Sequence, residues 1–434
     1  MTELSSAATA AAAGTTGFKA PGTTPGRTPR GYTPGLAAVN FGVYLALLTP
    51  VMVSMAFKIQ HISPSTEAAT GSLGLVLGVG ALFALIANPL AGRLSDRTTS
   101  RFGMRRPWIL GGAIVGLGGF LLIGVATSVW VVLIAWCIVQ AAMNAVLAAA
   151  NATLPDQVPV ASRGKVSGIV GITTPLGILG GTFLTNFLSE DFARFVVPSA
   201  IATVLAVLFV LVLKDRVRTD KPADRFTVGQ FFGSFVFNPA KHPDFGWTWL
   251  TKFFVMFGYA GIATFLPFYL TEKFQLDEQT AITTILLANL ASMAAMMISS
   301  PLGGFLSDRV GKRRPFVAVA GGVMVVGLVL LAFAPDVPTL IVAQAIIGFG
   351  AGSFFSVDLA LATEVLPNPE DTAKDLGVLN IANALPQSIA PAIAPGIIAL
   401  GAATPLGGYT VYYLFGALVA LAGAVLVYRI KGVK

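Results

Sequence analysis

Apolar runs recur along the chain, parted by short polar breaks. They fall near residues 36–59, 72–95, 107–127, 129–153, 165–188 and 195–213. A polar stretch from Lys214 to Asp244 interrupts the pattern, and six more runs follow near 245–270, 279–306, 315–334, 338–362, 375–400 and 407–428. A helix needs roughly 20 apolar residues to cross a bilayer, and each run is about that long. Strict alternation of apolar and polar positions, the sign of a membrane β-barrel, is absent. Backbone groups in lipid must be satisfied within helices or closed barrels, so helices are the form left. The pattern therefore predicts an all-α membrane protein with twelve spans. The first 35 residues differ. They are rich in Ala, Thr, Gly and Pro, with Lys19, Arg27 and Arg30, and they lack the apolar core of a signal peptide. They are expected to form a disordered cytoplasmic tail.

Composition supports this. Of 434 residues, 55% are hydrophobic and only 11% charged, whereas soluble chains carry roughly 25% charge. The net charge of +8 would suit a nucleic-acid partner, but its placement argues against one. With the N-terminus in the cytoplasm, all of the 28 basic residues except Lys58, Arg194, Lys252 and Lys273 fall on the cytoplasmic side. That is the positive-inside pattern of a plasma-membrane protein with both termini inside. Trp108, Trp130, Trp247 and Trp249 fall at expected span ends, where amphipathic rings prefer to lie. The single Cys137 excludes an intramolecular disulfide, and His61 and His242 are too few for a histidine-based metal site. No nucleophile elbow, His-Glu-x-x-His or Walker lysine is present. Neither catalysis, ATP hydrolysis nor a cofactor is expected.

The chain repeats itself. Pro89-Leu90-Ala91-Gly92-Arg93-Leu94-Ser95-Asp96-Arg97 returns as Pro301-Leu302-Gly303-Gly304-Phe305-Leu306-Ser307-Asp308-Arg309, with seven of nine positions identical at an offset of 212. Arg105-Arg106-Pro107 returns as Arg313-Arg314-Pro315, and Leu154-Pro155 as Leu366-Pro367. Two six-helix bundles follow, 36–213 and 245–434, joined by a cytoplasmic loop over 214–244. The fifth run is interrupted by Pro175 and Gly177, and the eleventh by Pro386, Pro391 and Pro395. Paired, similarly interrupted helices in two halves point to a secondary transporter. Each repeated segment brings a glycine (Gly92, Gly304), an aspartate (Asp96, Asp308) and arginines (Arg97, Arg105, Arg106; Arg309, Arg313, Arg314) to one membrane surface. Glycine permits close helix approach, and a carboxylate beside guanidinium groups makes a charge-assisted latch.

The segment Gly304-Phe305-Leu306-Ser307-Asp308-Arg309-Val310-Gly311-Lys312-Arg313-Arg314 resembles the signature cytoplasmic loop of the major facilitator superfamily. The first copy, Ser95 to Pro107, carries four extra residues and is similar to the corresponding loop of the sucrose/proton symporters, as is Leu47-Leu48-Thr49-Pro50. The resemblance implies alternating access around a cavity between the halves. It implies that Asp96 and Asp308 help hold an outward-open state, and that Glu364 joins the loop bases. It further implies a sugar or glycoside moved with protons by a monomer, with the bilayer as its other partner. Proton-coupled multidrug efflux and facilitated uniport are the alternatives. The sucrose symporters carry an acid and an arginine on the fourth span, whereas Gln140 to Asn151 here contains neither.

Candidate site residues follow from polarity inside the runs. Nineteen of the twenty acids fall in the tail, in loops or at span ends, leaving Asp358 well inside a span. An intramembrane carboxylate is costly and marks a functional candidate, here for proton coupling. It lies about 12 Å from the span centre, at ~1.5 Å per residue. Gln140, Asn144 and Asn151 share a stripe of the fourth helix, and Asn380, Asn383 and Gln387 share one on the eleventh. Amides both donate and accept, which suits sugar hydroxyls; bonding between helices is the competing explanation. Asn40, Tyr44, Tyr259 and Asn289 are single candidates for the same cavity.

Overall fold

The computed structural model describes residues 28–218, 239, 241–366 and 372–432. Most of the expected tail (1–27), much of the expected central loop (219–238 and 240) and Pro367 of the second Leu-Pro pair lie outside the described residues. Twelve helices among the described residues are long and apolar enough to cross a membrane. They are α1 (Tyr32–Ile62), α2 (Thr66–Asp96), α3 (Arg106–Val125), α4 (Val129–Gln157), α5 (Val160–Thr185), α6 (Asp191–Val212), α7 (Pro243–Lys273), α8 (Glu278–Val310), α9 (Arg314–Ala332), α10 (Val337–Glu364), α11 (Thr372–Ala402) and α12 (Gly408–Leu426). They form two pseudo-symmetric bundles, α1–α6 and α7–α12. One end of the molecule carries the repeated loops and is called the basic end; the opposite end is the far end.

Three local features depart from the sequence reading. The first helix starts at Tyr32, inside the stretch expected to be tail to residue 35. Gly31 turns the chain in a left-handed conformation (φ 79°), and Pro34 is tolerated because first-turn amides have no helical acceptor. The fifth span breaks at Ile172 and not at Pro175. A proline disrupts the turn before it, where its ring meets the carbonyl of residue i−4 and its missing N–H leaves a bond unmade. The eleventh helix, expected to be interrupted, is continuous through Pro386, Pro391 and Pro395. Neighbouring helices in a membrane bundle can compensate for such prolines. Within α1, residues Pro50–Ser54 form a π-helical turn, a feature without a signal in apolar periodicity.

The halves meet through small residues. A Cβ on Gly74 of α2 would lie 2.5 Å from the Pro391 carbonyl oxygen and 2.6 Å from Pro395 of α11. The prolines of α11 thus occupy space left by glycines of α2. Lipid-exposed helices gain little from apolar burial, so such close packing carries the association. Between α5 and α8, Thr283 donates to the Asn186 carboxamide oxygen at 2.7 Å, Gln279 to the Asn186 carbonyl at 3.0 Å, and Asn289 to Thr182 at 3.4 Å. All these contacts lie toward the far end. Each bundle has a buried aromatic core, with Phe120, Trp136 and Phe195 in the first and Phe265, Tyr269 and Tyr413 in the second.

Candidate functional site

In the first bundle the polar stripe of α4 is met by two other helices. The Asn40 and Asn151 carboxamides exchange two bonds of 3.2 Å between α1 and α4, and Asn40, fully buried, also donates to Leu36 O. Asn88 of α2 donates to Asn144 Oδ1 at 3.3 Å, and Asn144 donates to the backbone and side-chain oxygens of Gln140. The structure therefore gathers Asn40, Gln140, Asn144 and Asn151 with Asn88, which sequence reasoning missed. A lone amide in α2 lacks the repeated spacing that exposed the others. Asn151 keeps an exposed surface. Tyr44 lies beside α5, where Gly177 packs on its backbone and Cβ.

The second bundle holds a buried ion pair. Lys252 Nζ of α7 lies 2.7 Å from Asp358 Oδ2 of α10, and both residues are buried. Sequence reasoning singled out each residue separately, one as an acid inside a span and one as a base outside the positive-inside pattern. Tyr259 stacks edge-on against Phe355, 5.9 Å between ring centres. On α11, Asn380 and Gln387 are exposed, Asn383 is half-buried, and Gln387 donates to Asn383 O at 3.3 Å. Asn289 stands apart from this stripe, at the α5–α8 contact.

The repeated loops share their serine and aspartate bonds. Arg105 bonds Ser95 and Asp96, and Arg313 bonds Ser307 and Asp308. The second arginine of each copy reaches the chain leaving the last helix of its own bundle: Arg106 donates to Leu213 O, and Arg314 to Lys431 O. The copies differ in their third partner. Arg313 also reaches Glu364 at 3.3 Å, and the two carboxylates hold its guanidinium pKa above the ordinary value, Asp308 most strongly. Asp156, the acid beyond Pro155 in the first half, pairs instead with Arg216 at 3.2 Å. Asp215 receives the backbone amides of Arg105 and Arg106 at 2.7 and 2.8 Å and so caps α3. The bonds of Arg105, Arg106, Arg313 and Arg314 thus run within one half, and Arg309 is exposed. The glycines need correction. A Cβ on Gly92 or Gly304 would make only ordinary contacts, whereas Gly303 is tight, 3.0 Å from Ser353 Cα.

Charges do join the halves at the far end. Glu278, in the first turn of α8, bonds the guanidinium of Arg194 from α6. His61, in the last turn of α1, places Nδ1 3.0 Å from Asp191 Oδ2 and Nε2 3.1 Å from Glu278 Oε2. Lys58 lies 3.8 Å from Asp191 and donates to Gly124 O at 3.0 Å. Acids in first turns and a basic group in a last turn suit the helix dipoles.

Alongside these two bundles with their repeated loop, the Major Facilitator Superfamily family model matches residues 35–298 and 249–433 of the chain. The chain belongs to that superfamily. As a facilitator it is 26% identical to the multidrug resistance protein MdtG of Citrobacter koseri over 297 residues, 67% of this chain and 70% of that protein. The protein of the same name from Serratia proteamaculans is 29% identical over 56% of this chain and 57% of its own length. Among solved structures, a mutant of the nucleoside transporter NupG superposes with a TM-score of 0.73 at 12% identity, over 92% of this chain and 99% of that one. A D-xylose-proton symporter gives 0.67 at 15% identity, over 92% and 99%. At such identities the superpositions speak for the fold. The family assignment makes this chain a transporter and not an enzyme.

Proposed function

We propose that this facilitator moves a small neutral polar solute, a sugar or glycoside, across the cytoplasmic membrane by alternating access, with protons as the coupling ion. The exposed amides within spans carry the reading. Asn151 on α4 and Asn380 and Gln387 on α11 are exposed inside otherwise apolar helices. Lipid cannot satisfy the bonding capacity that their protein partners leave open, which suits a surface lined by water or a polar solute. They sit in both halves, as a binding site between the bundles requires. The positive-inside pattern supports a cytoplasmic basic end with both termini inside. The far-end contacts then close the outer face.

Asp358 is the coupling candidate, acting with Lys252. Their attraction ties α7 to α10 while the acid is ionised. A proton on Asp358 removes that tie and leaves Lys252 free to move. Gln140, Asn144 and Asn151 of the α4 stripe, with Asn40 and Asn88, shape the site from the first half; Tyr44, Tyr259 and Asn383 are the remaining polar candidates, and Asn289 belongs to the contact between halves. The transporter acts as a monomer.

A second reading is supported by the sequence relatives: the MdtG proteins are named for multidrug resistance. Export of apolar cations or dyes would replace sugar uptake while keeping the same fold. Proteoliposomes decide between them. Labelled mono- and disaccharides should accumulate under an inward proton gradient, and Asp358→Asn should abolish gradient-driven accumulation. Dye export with no sugar uptake under any gradient would overturn the sugar reading. Sugar uptake indifferent to the gradient would identify a uniporter.

A further inference from the structure

The ring of His61 lies between two carboxylates from different helices, one in each half: Asp191 on α6 at 3.0 Å and Glu278 on α8 at 3.1 Å. A neutral imidazole has one N–H and one lone pair. Between two carboxylates it would aim that lone pair at one of them. Only the imidazolium donates to both. The ring is 47% exposed, so protons reach it from the far side.

The other charges around the ring leave this contact in place. On α1, Lys58 is turned to Gly124 O and stands 3.8 Å from Asp191. On α6, Arg194 bonds Glu278 Oε1 and Leu188 O and stands 3.9 Å from Asp191 Oδ1, and Glu190, just before the helix, is exposed. On α8, Asp277 is engaged by Thr280. At the start of α2, Glu67 is exposed, and at the end of α7, Glu272 accepts from Tyr409 while Lys273 donates to Tyr269. Opening the far end separates α8 from α1 and α6. It would take Glu278 from the ring and remove one of the two acceptors that favour the cation.

We infer that His61 is a proton-binding site, filled from the far side as the halves close there and emptied as they part. This makes far-end closure proton-consuming, independently of any proton carried by Asp358. It rests on alternating access and not on the identity of the solute.

The test measures the far end directly. Spin labels at Thr127→Cys and Ala403→Cys, exposed positions in the far-end loops of the two halves, are introduced in a Cys137→Ala background. Distances are recorded in lipid nanodiscs from pH 8 to 5.5, without solute. The closed-to-open ratio should rise as pH falls through the histidine range, by at most about tenfold per pH unit, the limit for one linked proton. His61→Gln should remove that dependence while leaving both distances populated. A wild-type ratio indifferent to pH would overturn the inference, and so would an unchanged pH dependence in His61→Gln. Failure of sugar uptake would appear only in the transport assay.

Discussion

Two sets of charges sit within the membrane helices, and they join different things. Lys252 and Asp358 are both buried, 2.7 Å apart, and belong to one bundle. The His61 cluster reaches solvent and links α1 and α6 of one bundle to α8 of the other. A pair inside a bundle ties two helices that move together as the bundles rock. A pair between bundles can be made and broken as they rock. Burial sharpens the contrast: a dry pair is costly to disrupt, and a wet one exchanges protons and partners readily.

Breaking the dry pair should have the largest effect. Lys252→Met leaves Asp358 buried without its partner, and removing one member of a buried ion pair costs roughly 3–5 kcal/mol. The unfolding temperature in detergent should fall accordingly. Replacing both, Lys252→Met with Asp358→Leu, should recover much of that loss, because an apolar pair of similar volume is often as stable. Proton-driven uptake should not recover. If the double variant transports with full coupling, the pair is structural only.

Next comes Glu278→Gln. It puts a neutral amide oxygen in place of the anionic acceptor that Arg194, itself buried, uses across the halves. A hydrogen bond to a charged group contributes about 1.5–3 kcal/mol and a neutral one about 0.5–1.5 kcal/mol, so the bond weakens without being lost. The loss should appear as a shift of the Thr127–Ala403 distance toward the open far end, with a smaller change in unfolding temperature. An unchanged distance would show that closure depends on the α2–α11 packing instead.

The sequence already contained the signal for both sets. Four bases broke the positive-inside pattern, and each has a specific place. Lys252 meets Asp358, Lys58 and Arg194 belong to the His61 cluster, and Lys273 donates to Tyr269 at 2.8 Å. The twelve spans and the repeat were legible because hydropathy and identity are local properties. Partnerships were not: Asn88 with Asn144, or His61 with Glu278 over 217 residues of chain, arise only when helices pack. The π-turn at Pro50–Ser54 and the break at Ile172 were hidden for another reason. Each lies beside a proline, Pro50 and Pro175, which signals a disturbance of the helix without fixing the form or the exact residue of the adjustment.

Smaller still is the effect expected in the repeated loops. Asp96 and Asp308 are exposed, and pairs of this kind contribute about 0–1 kcal/mol. Asp308→Asn leaves Arg313 with Glu364, whereas Asp96→Asn leaves Arg105 with Ser95 as its side-chain partner. Unfolding temperature should therefore fall more in Asp96→Asn. Equal falls would mean that Glu364 adds nothing to the second copy.

The smallest effect separates the histidine site from general acid sensitivity at the same end. Asp336 caps α10, accepting from the Thr339 amide at 2.9 Å. Thr339 holds its carboxyl below the ordinary value, through its hydroxyl and then its amide. The stabilisation is complete above the ordinary carboxylate range and is lost as pH falls through the lowered value. Asp336→Asn keeps a capping oxygen but cannot titrate. The difference in unfolding temperature between wild type and Asp336→Asn should be constant from pH 8 to 5.5, and shrink only below the ordinary carboxylate range. Far-end closure should respond across the first window and leave this difference untouched. If instead both changed together above pH 5.5, the proton acting there would belong to the acids of the far end and not to His61.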